Sequence, residues 1–229
     1  MSTQYRIEFS ELQSGLASPV TRFGGQPTWL EMPQWPLSRQ TGEPMRFICQ
    51  VSIPEPLSAG VAPRMAYLFM TDGDEYVDGT WEPERGENAI VIQPAGGPLL
   101  VTTMAVPEGP TLYRMVRKPG AARLIPESCE FAASLTKAEE PDFVPEGTRR
   151  SSLSEAQSAD YDRALSGNKI GGAPLFMQGD EFPPGGPWNL LLQLDSTAVP
   201  FSINFGDAGI GFGFISADGS QGRFLWQCA

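Results

Sequence analysis

Ile170-Gly171-Gly172-Ala173-Pro174-Leu175-Phe176-Met177 stands late in the chain, and Phe23-Gly24-Gly25-Gln26-Pro27-Thr28-Trp29-Leu30 stands near its start. Both read apolar-Gly-Gly-x-Pro followed by apolar or aromatic residues. Paired glycines supply backbone with positive φ, and the proline stiffens the exit. Neither stretch has the spacing of a phosphate loop and neither leads into a helix, so both are read as structural turns. Outward from each turn the same elements follow in the same order. Phe47-Ile48-Cys49-Gln50-Val51 matches Leu190-Leu191-Leu192-Gln193-Leu194. Tyr67-Leu68-Phe69-Met70-Thr71 with Asp72-Gly73 matches Phe212-Gly213-Phe214-Ile215-Ser216 with Asp218-Gly219. Ile90-Val91-Ile92-Gln93 is echoed by Phe224-Leu225-Trp226-Gln227. An ordered set of this kind argues for an internal duplication.

Each repeat reads as a small β-unit. The runs near 45–53, 64–71 and 88–94, and those near 189–195, 210–216 and 222–228, have the β-branched and aromatic content of strands. Asp72-Gly73 and Asp218-Gly219 are hairpin-type turn signals. Gly209, Gly211 and Gly213 leave one strand face bare, which predicts a bulge or a close neighbour there. Gln50, Gln93, Gln193 and Gln227 end apolar runs; a buried glutamine must be hydrogen-bonded, so these are expected to satisfy loop backbone groups, with ligand binding as the alternative. Residues 151–165 are the best helix candidate, with Ser152 or Ser154 as cap, and 137–150 reads as loop. The expected fold is α+β: a β-rich single domain over 1–229, mostly antiparallel, with a few short helices. Its parts are repeat one (about 20–118), a connecting segment (about 119–167) and repeat two (about 168–229).

Composition narrows the chemistry. The chain has 229 residues, with 25 Gly and 22 Pro, which excludes a helical bundle because both residues are costly inside helices. It has no histidine, so Ser-His-Asp, Cys-His and His-ligated metal sites are impossible. Cys49, Cys129 and Cys228 are widely spaced and odd in number, which is neither a disulfide framework nor a zinc site; Cys49 reads as a small core residue. The formal charge of −11 disfavours nucleic acid and anionic membranes over most of the surface and favours a basic partner, or simply keeps the protein dispersed. The N-terminus has no apolar stretch of signal-peptide length and no run is long enough to span a membrane, so the expected address is cytoplasmic.

The second repeat, from Lys169-Ile170-Gly171-Gly172-Ala173-Pro174 through Leu190-Leu191-Leu192-Gln193-Leu194 and Asn204-Phe205-Gly206-Asp207-Ala208-Gly209 to Phe224-Leu225-Trp226-Gln227-Cys228, resembles the YwqG-like family, and the first repeat carries a shorter form. The resemblance implies an internally duplicated, β-rich α+β fold and no established activity. Members of that family often occur beside genes for secreted polymorphic toxins, where some look like immunity proteins. The Gly-Gly-x-Pro and apolar-Gln elements are more distantly similar to the eukaryotic programmed-cell-death-protein-two family, whose members act as chaperones of a ribosomal protein. The cysteine pairs of that family are absent here.

The sharpest local feature is 71–87, with seven carboxylates and one arginine. Asp72, Asp74, Glu75, Tyr76, Asp78, Trp81, Glu82 and Glu84 are the candidate partner-binding residues: charges steer encounter and aromatics anchor the contact. A solvated hairpin loop is the plain alternative. A calcium loop fits poorly, because Tyr76 and Val77 stand where an EF-hand needs a ligand and a glycine. The basic island Tyr113-Arg114-Met115-Val116-Arg117-Lys118 with Arg123 reads as a surface strand, with a phosphate contact as the alternative. No cofactor motif, metal set or catalytic constellation stands out. The expectation is therefore a non-enzymatic protein: an immunity protein that occludes a basic, nuclease-like toxin. The alternatives are a chaperone for a basic cytosolic protein, and a small-molecule binder or carboxylate-based enzyme.

Overall fold

A computed structural model describes residues 1–12, 20–60, 63–72, 79–120 and 122–229. Its strands are β1 (Ser2–Glu11), β2 (Arg22–Gly24), β3 (Trp35–Pro36), β4 (Arg46–Ser52), β5 (Met65–Met70), β6 (Asn88–Gln93), β7 (Thr103–Met104), β8 (Tyr113–Val116), β9 (Ile125–Ser128), β10 (Glu130–Glu140), β11 (Lys169–Gly171), β12 (Trp188–Asp195), β13 (Ile210–Ser216) and β14 (Gly222–Gln227). Two helices, α1 (Glu146–Ser152) and α2 (Glu155–Leu165), lie between β10 and β11. Ten strands form one antiparallel sheet in the order β14-β13-β12-β11-β1-β10-β2-β4-β5-β6; β3 pairs with β7 and β8 with β9.

The sheet curls until its two ends nearly meet. Ile90 of β6 packs where a Cβ on Gly222 of β14 would sit, so glycine there is what lets the ends approach. The enclosed face carries the main core: Ile48, Val51, Leu68, Met70, Ile90 and Ile92 from one end meet Leu191, Leu194, Ile215, Phe224 and Trp226 from the other. The opposite faces are also covered. Phe47, Met65, Tyr67, Phe69 and Val91 pack with Trp35 and Met45, while Phe212, Phe214, Leu190 and Leu225 pack with Phe176. Burial on both faces explains why β5 and β6 are continuous apolar runs instead of alternating ones.

The two ends share local devices. The β4/β5 and β12/β13 registers each shift once, between Phe47 and Cys49 and between Leu190 and Leu192. Each shift admits one extra residue, Ile48 or Leu191, into the enclosed core. Gly24 and Gly25 have φ of 72° and 66°, and Gly171 and Gly172 have 74° and 79°, as expected of the turn reading. Gly211 and Gly213 lie on the enclosed face and make room for the Phe205 ring and for Ile90, which supplies the close neighbour the sequence called for.

Three expectations need correction. The segment 137–150 is not loop: β10 runs through Glu140, and α1 starts at Glu146. The helix expected over 151–165 is two helices, with α2 beginning at Glu155 and Ser154 in a capping box with Gln157. The connection expected to turn tightly at Asp72-Gly73 is long, since β5 ends at Met70 and β6 begins at Asn88; Gly73 itself lies outside the described residues. Asp218-Gly219 does close its turn, with the Gly219 N–H donating to Ser216 O at 2.8 Å.

Candidate binding surface

The strand-end glutamines hold the covering segments in place. Gln50 Oε1 accepts from Thr28 N at 2.8 Å, and Gln193 Oε1 accepts from Leu175 N at 2.9 Å. Gln93 Oε1 accepts from Leu30 N and Glu31 N, both at 3.1 Å; Gln227 Oε1 accepts from Met177 N at 2.8 Å and Gln178 N at 3.0 Å. Their amide nitrogens donate to Val20 O, Met32 O, Gly167 O and Gly179 O. All four glutamines are buried, and these bonds satisfy both them and the loop backbone groups they meet.

The acidic connection between β5 and β6 is anchored at both ends. Asp72 is not free: its carboxylate lies 2.6 Å from Arg46 Nε. Glu87 is buried, and accepts from Ser38 Oγ at 2.7 Å, Thr71 Oγ1 at 2.7 Å and Gln40 N at 2.8 Å. Asn88 Nδ2 donates to Thr80 O and Glu82 O, both at 3.0 Å. Trp81 packs edge-on against Trp226, with ring centroids 6.0 Å apart. Two of the seven carboxylates therefore hold the connection down. Glu82 and Glu84 remain on its surface, Glu82 paired with Arg85 at 3.1 Å. Asp74, Glu75, Tyr76 and Asp78 lie outside the described residues. Trp81 is partly buried and packs against the enclosed core.

The basic island forms β8 and β9, a separate two-stranded hairpin beside this connection. Arg46 joins the two: its guanidinium pairs with Asp72, donates to Thr111 O at 2.6 Å, and stacks 4.7 Å from the Tyr113 ring centroid. Sequence reasoning missed Arg46. No local signal points to it, because Asp72, Thr111 and Tyr113 reach it only through the folded sheet.

One buried ion pair lies away from this surface. Lys169 Nζ donates to both Glu140 oxygens, at 2.9 and 2.8 Å, and to Ala173 O at 2.7 Å; Ala173 N donates to Glu140 at 2.6 Å. Burial pushes the Lys169 ammonium below its ordinary range, against the opposing pull of Glu140. Every Nζ donor is used, so the pair props the Gly171-Gly172 turn and offers no open reactive group. Among the described residues no cluster of three or more metal-ligating side chains occurs, and no helix is long and apolar enough to cross a membrane. Cys49 is buried, and burial pushes its thiol up, as fits a core residue.

No curated protein matches the chain. Residues 21–224 match a family described as DUF1963, a domain of unknown function, a span that includes both Gly-Gly turns, both register shifts and three of the four glutamine anchors, Gln50, Gln93 and Gln193. The chain belongs to the DUF1963 family.

Proposed function

We propose that this chain is a non-enzymatic binding protein whose acidic β5–β6 connection docks on a basic partner. The observation that carries the reading is the way that connection is held: Asp72, Glu87, Asn88 and Trp81 tie it to the body, leaving Glu82 and Glu84 on its surface. A charged loop anchored before it meets its partner loses less freedom on binding, and its charges steer encounter. The candidate contact set is Asp74, Glu75, Tyr76, Asp78, Glu82 and Glu84, with Asp72 and Trp81 as anchors. The partner class is a basic protein, in the first instance a nuclease-like toxin whose cationic substrate groove this face covers. That makes the chain an immunity protein of YwqG-like type acting in the cytoplasm, without cofactor or metal.

The proposal includes the internal duplication. Matching register shifts, Gly-Gly turns and glutamine anchors support it. The binding reading is tested by affinity capture from the native host at low and high salt. A stoichiometric basic protein, lost as salt rises and lost when Asp74, Glu75, Asp78, Glu82 and Glu84 are replaced by Asn or Gln, is the expected result. Recovery of a ribosomal protein instead points to a chaperone.

A further inference from the structure

A hollow of about 320 Å³ is lined by Arg39, Gln40, Arg85 and Glu87. That volume is at the small end for ligand sites, and no apolar side chain lines it. Glycine backbone lets both arginines pack close. The Arg39 Nε lies 2.7 Å from where a Cβ on Gly86 would sit, and the Arg85 Cβ lies 2.9 Å from where one on Gly79 would sit. Both arginines are exposed. Arg85 pairs with Glu82 through its Nε, which leaves its terminal N–H groups. The Arg39 guanidinium donates to two carbonyls, Glu84 O at 3.1 Å and Leu100 O at 2.8 Å, and no carboxylate pairs with it among the described residues.

Glu87 is 2% exposed, yet no cation pairs with it among the described residues. Its bonds come from neutral donors: Ser38 Oγ and Thr71 Oγ1 on Oε2, and Gln40 N on Oε1. A carboxylate has about four acceptor positions, so one on Oε1 is left. The hollow therefore selects by charge. A simple anion meets the arginines but also Glu87 and Glu82. A simple cation meets Glu87 but also two guanidiniums. A small molecule with both charges suits both: its carboxylate takes N–H groups of Arg39 and Arg85, and its ammonium gives Glu87 the charged partner it lacks. The wholly polar lining favours a short side chain over an apolar one. We infer that this hollow binds a small free α-amino acid. Binding here needs no protein partner, so it stands or falls apart from docking by the acidic connection.

An NMR titration of the whole protein with glycine and serine, carried into the millimolar range, tests this. Shifts are expected at the Gln40 amide and the Arg39 Nε–H. Acetate lacks the ammonium, methylammonium lacks the carboxylate, and trimethylglycine lacks the N–H groups; each is expected to bind at least about tenfold more weakly than glycine. Arg39→Gln, which alters an exposed side chain, is expected to weaken glycine binding about tenfold or more with the circular dichroism spectrum unchanged. Glu87→Gln keeps the shape of the floor without its charge and is expected to abolish the preference for glycine over acetate. Glycine and serine that leave these resonances unmoved overturn the inference. So does acetate or trimethylglycine binding as tightly as glycine, an Arg39→Gln variant that binds glycine like the wild type, or a preference for glycine that survives Glu87→Gln.

Discussion

Asp218 shows how much one exposed carboxylate organises. Its Oδ1 accepts from Ser216 Oγ at 2.5 Å and from Ser220 N at 3.0 Å, closing the β13–β14 turn against which Arg64 lies. The Ser216 hydroxyl, then the Ser220 amide and hydroxyl, hold the carboxyl down to about 2. A carboxylate lowered in the folded state stabilises above its unfolded value and loses that contribution as pH falls through the folded one. Asp218 therefore contributes at pH above about 4, and the contribution fades between about 4 and 2. Side-chain NMR titration is expected to give a midpoint near 2, and Asp218→Asn to flatten the acid limb of the stability curve over that interval. A midpoint near the ordinary aspartate value contradicts these hydrogen bonds. Asp218-Gly219 was legible as a turn because glycine after aspartate needs no tertiary context. Arg46 was not, because its three partners come from residues far apart in sequence and meet only through the sheet.

At the scale of elements, each covering segment is held by two glutamines, Gln50 and Gln93 on one and Gln193 and Gln227 on the other. Replacing Gln193 with Met keeps the volume but strands Leu175 N, Leu165 O and Gly167 O beneath the segment. Buried orphan groups cost about 1–3 kcal/mol each where the segment does not open to water. Urea unfolding of Gln193→Met is expected to show a loss of about 3 kcal/mol. A loss within about 0.5 kcal/mol, the level of an ordinary surface substitution, contradicts the anchoring role. These glutamines were readable because each ends an apolar run, where an uncharged polar side chain has little reason to sit unless it is bonded. β1 and β10 were not readable as strands. The middle of β10, from Ser134 to Lys137, is exposed on both faces, so no hydrophobic period marks it. Its pairing with β1, from Ser2↔Glu140 to Glu11↔Phe131, specifies it instead.

At the scale of the molecule, the order of the sheet has a consequence for folding. β1 lies between β10 and β11, and β10 lies between β1 and β2, so each half of the chain lends a strand to the other. The enclosed core is likewise built from both halves. Cutting the chain between Pro119 and Gly120, at the exposed tip of the β8–β9 hairpin, is expected to give two fragments of which neither is a folded monomer. Mixing them is expected to restore the native circular dichroism spectrum. A fragment that is monomeric and cooperatively folded alone contradicts this interdependence. The recurring turns, bulge-bearing strands and glutamines were legible because each is a local feature of the sequence; the lending of strands was not, because it is a relation between the halves.

The claim that the acidic connection is a docking surface is tested most directly by capture with two baits side by side. One bait is the wild type, and the other has Asp74, Glu75, Asp78, Glu82 and Glu84 replaced by Asn or Gln, with the anchors Asp72, Trp81 and Glu87 left in place. A stoichiometric basic protein is expected on the wild type at low salt, absent at high salt and absent from the variant. The same partner recovered equally on both baits, or no partner on the wild type, contradicts it.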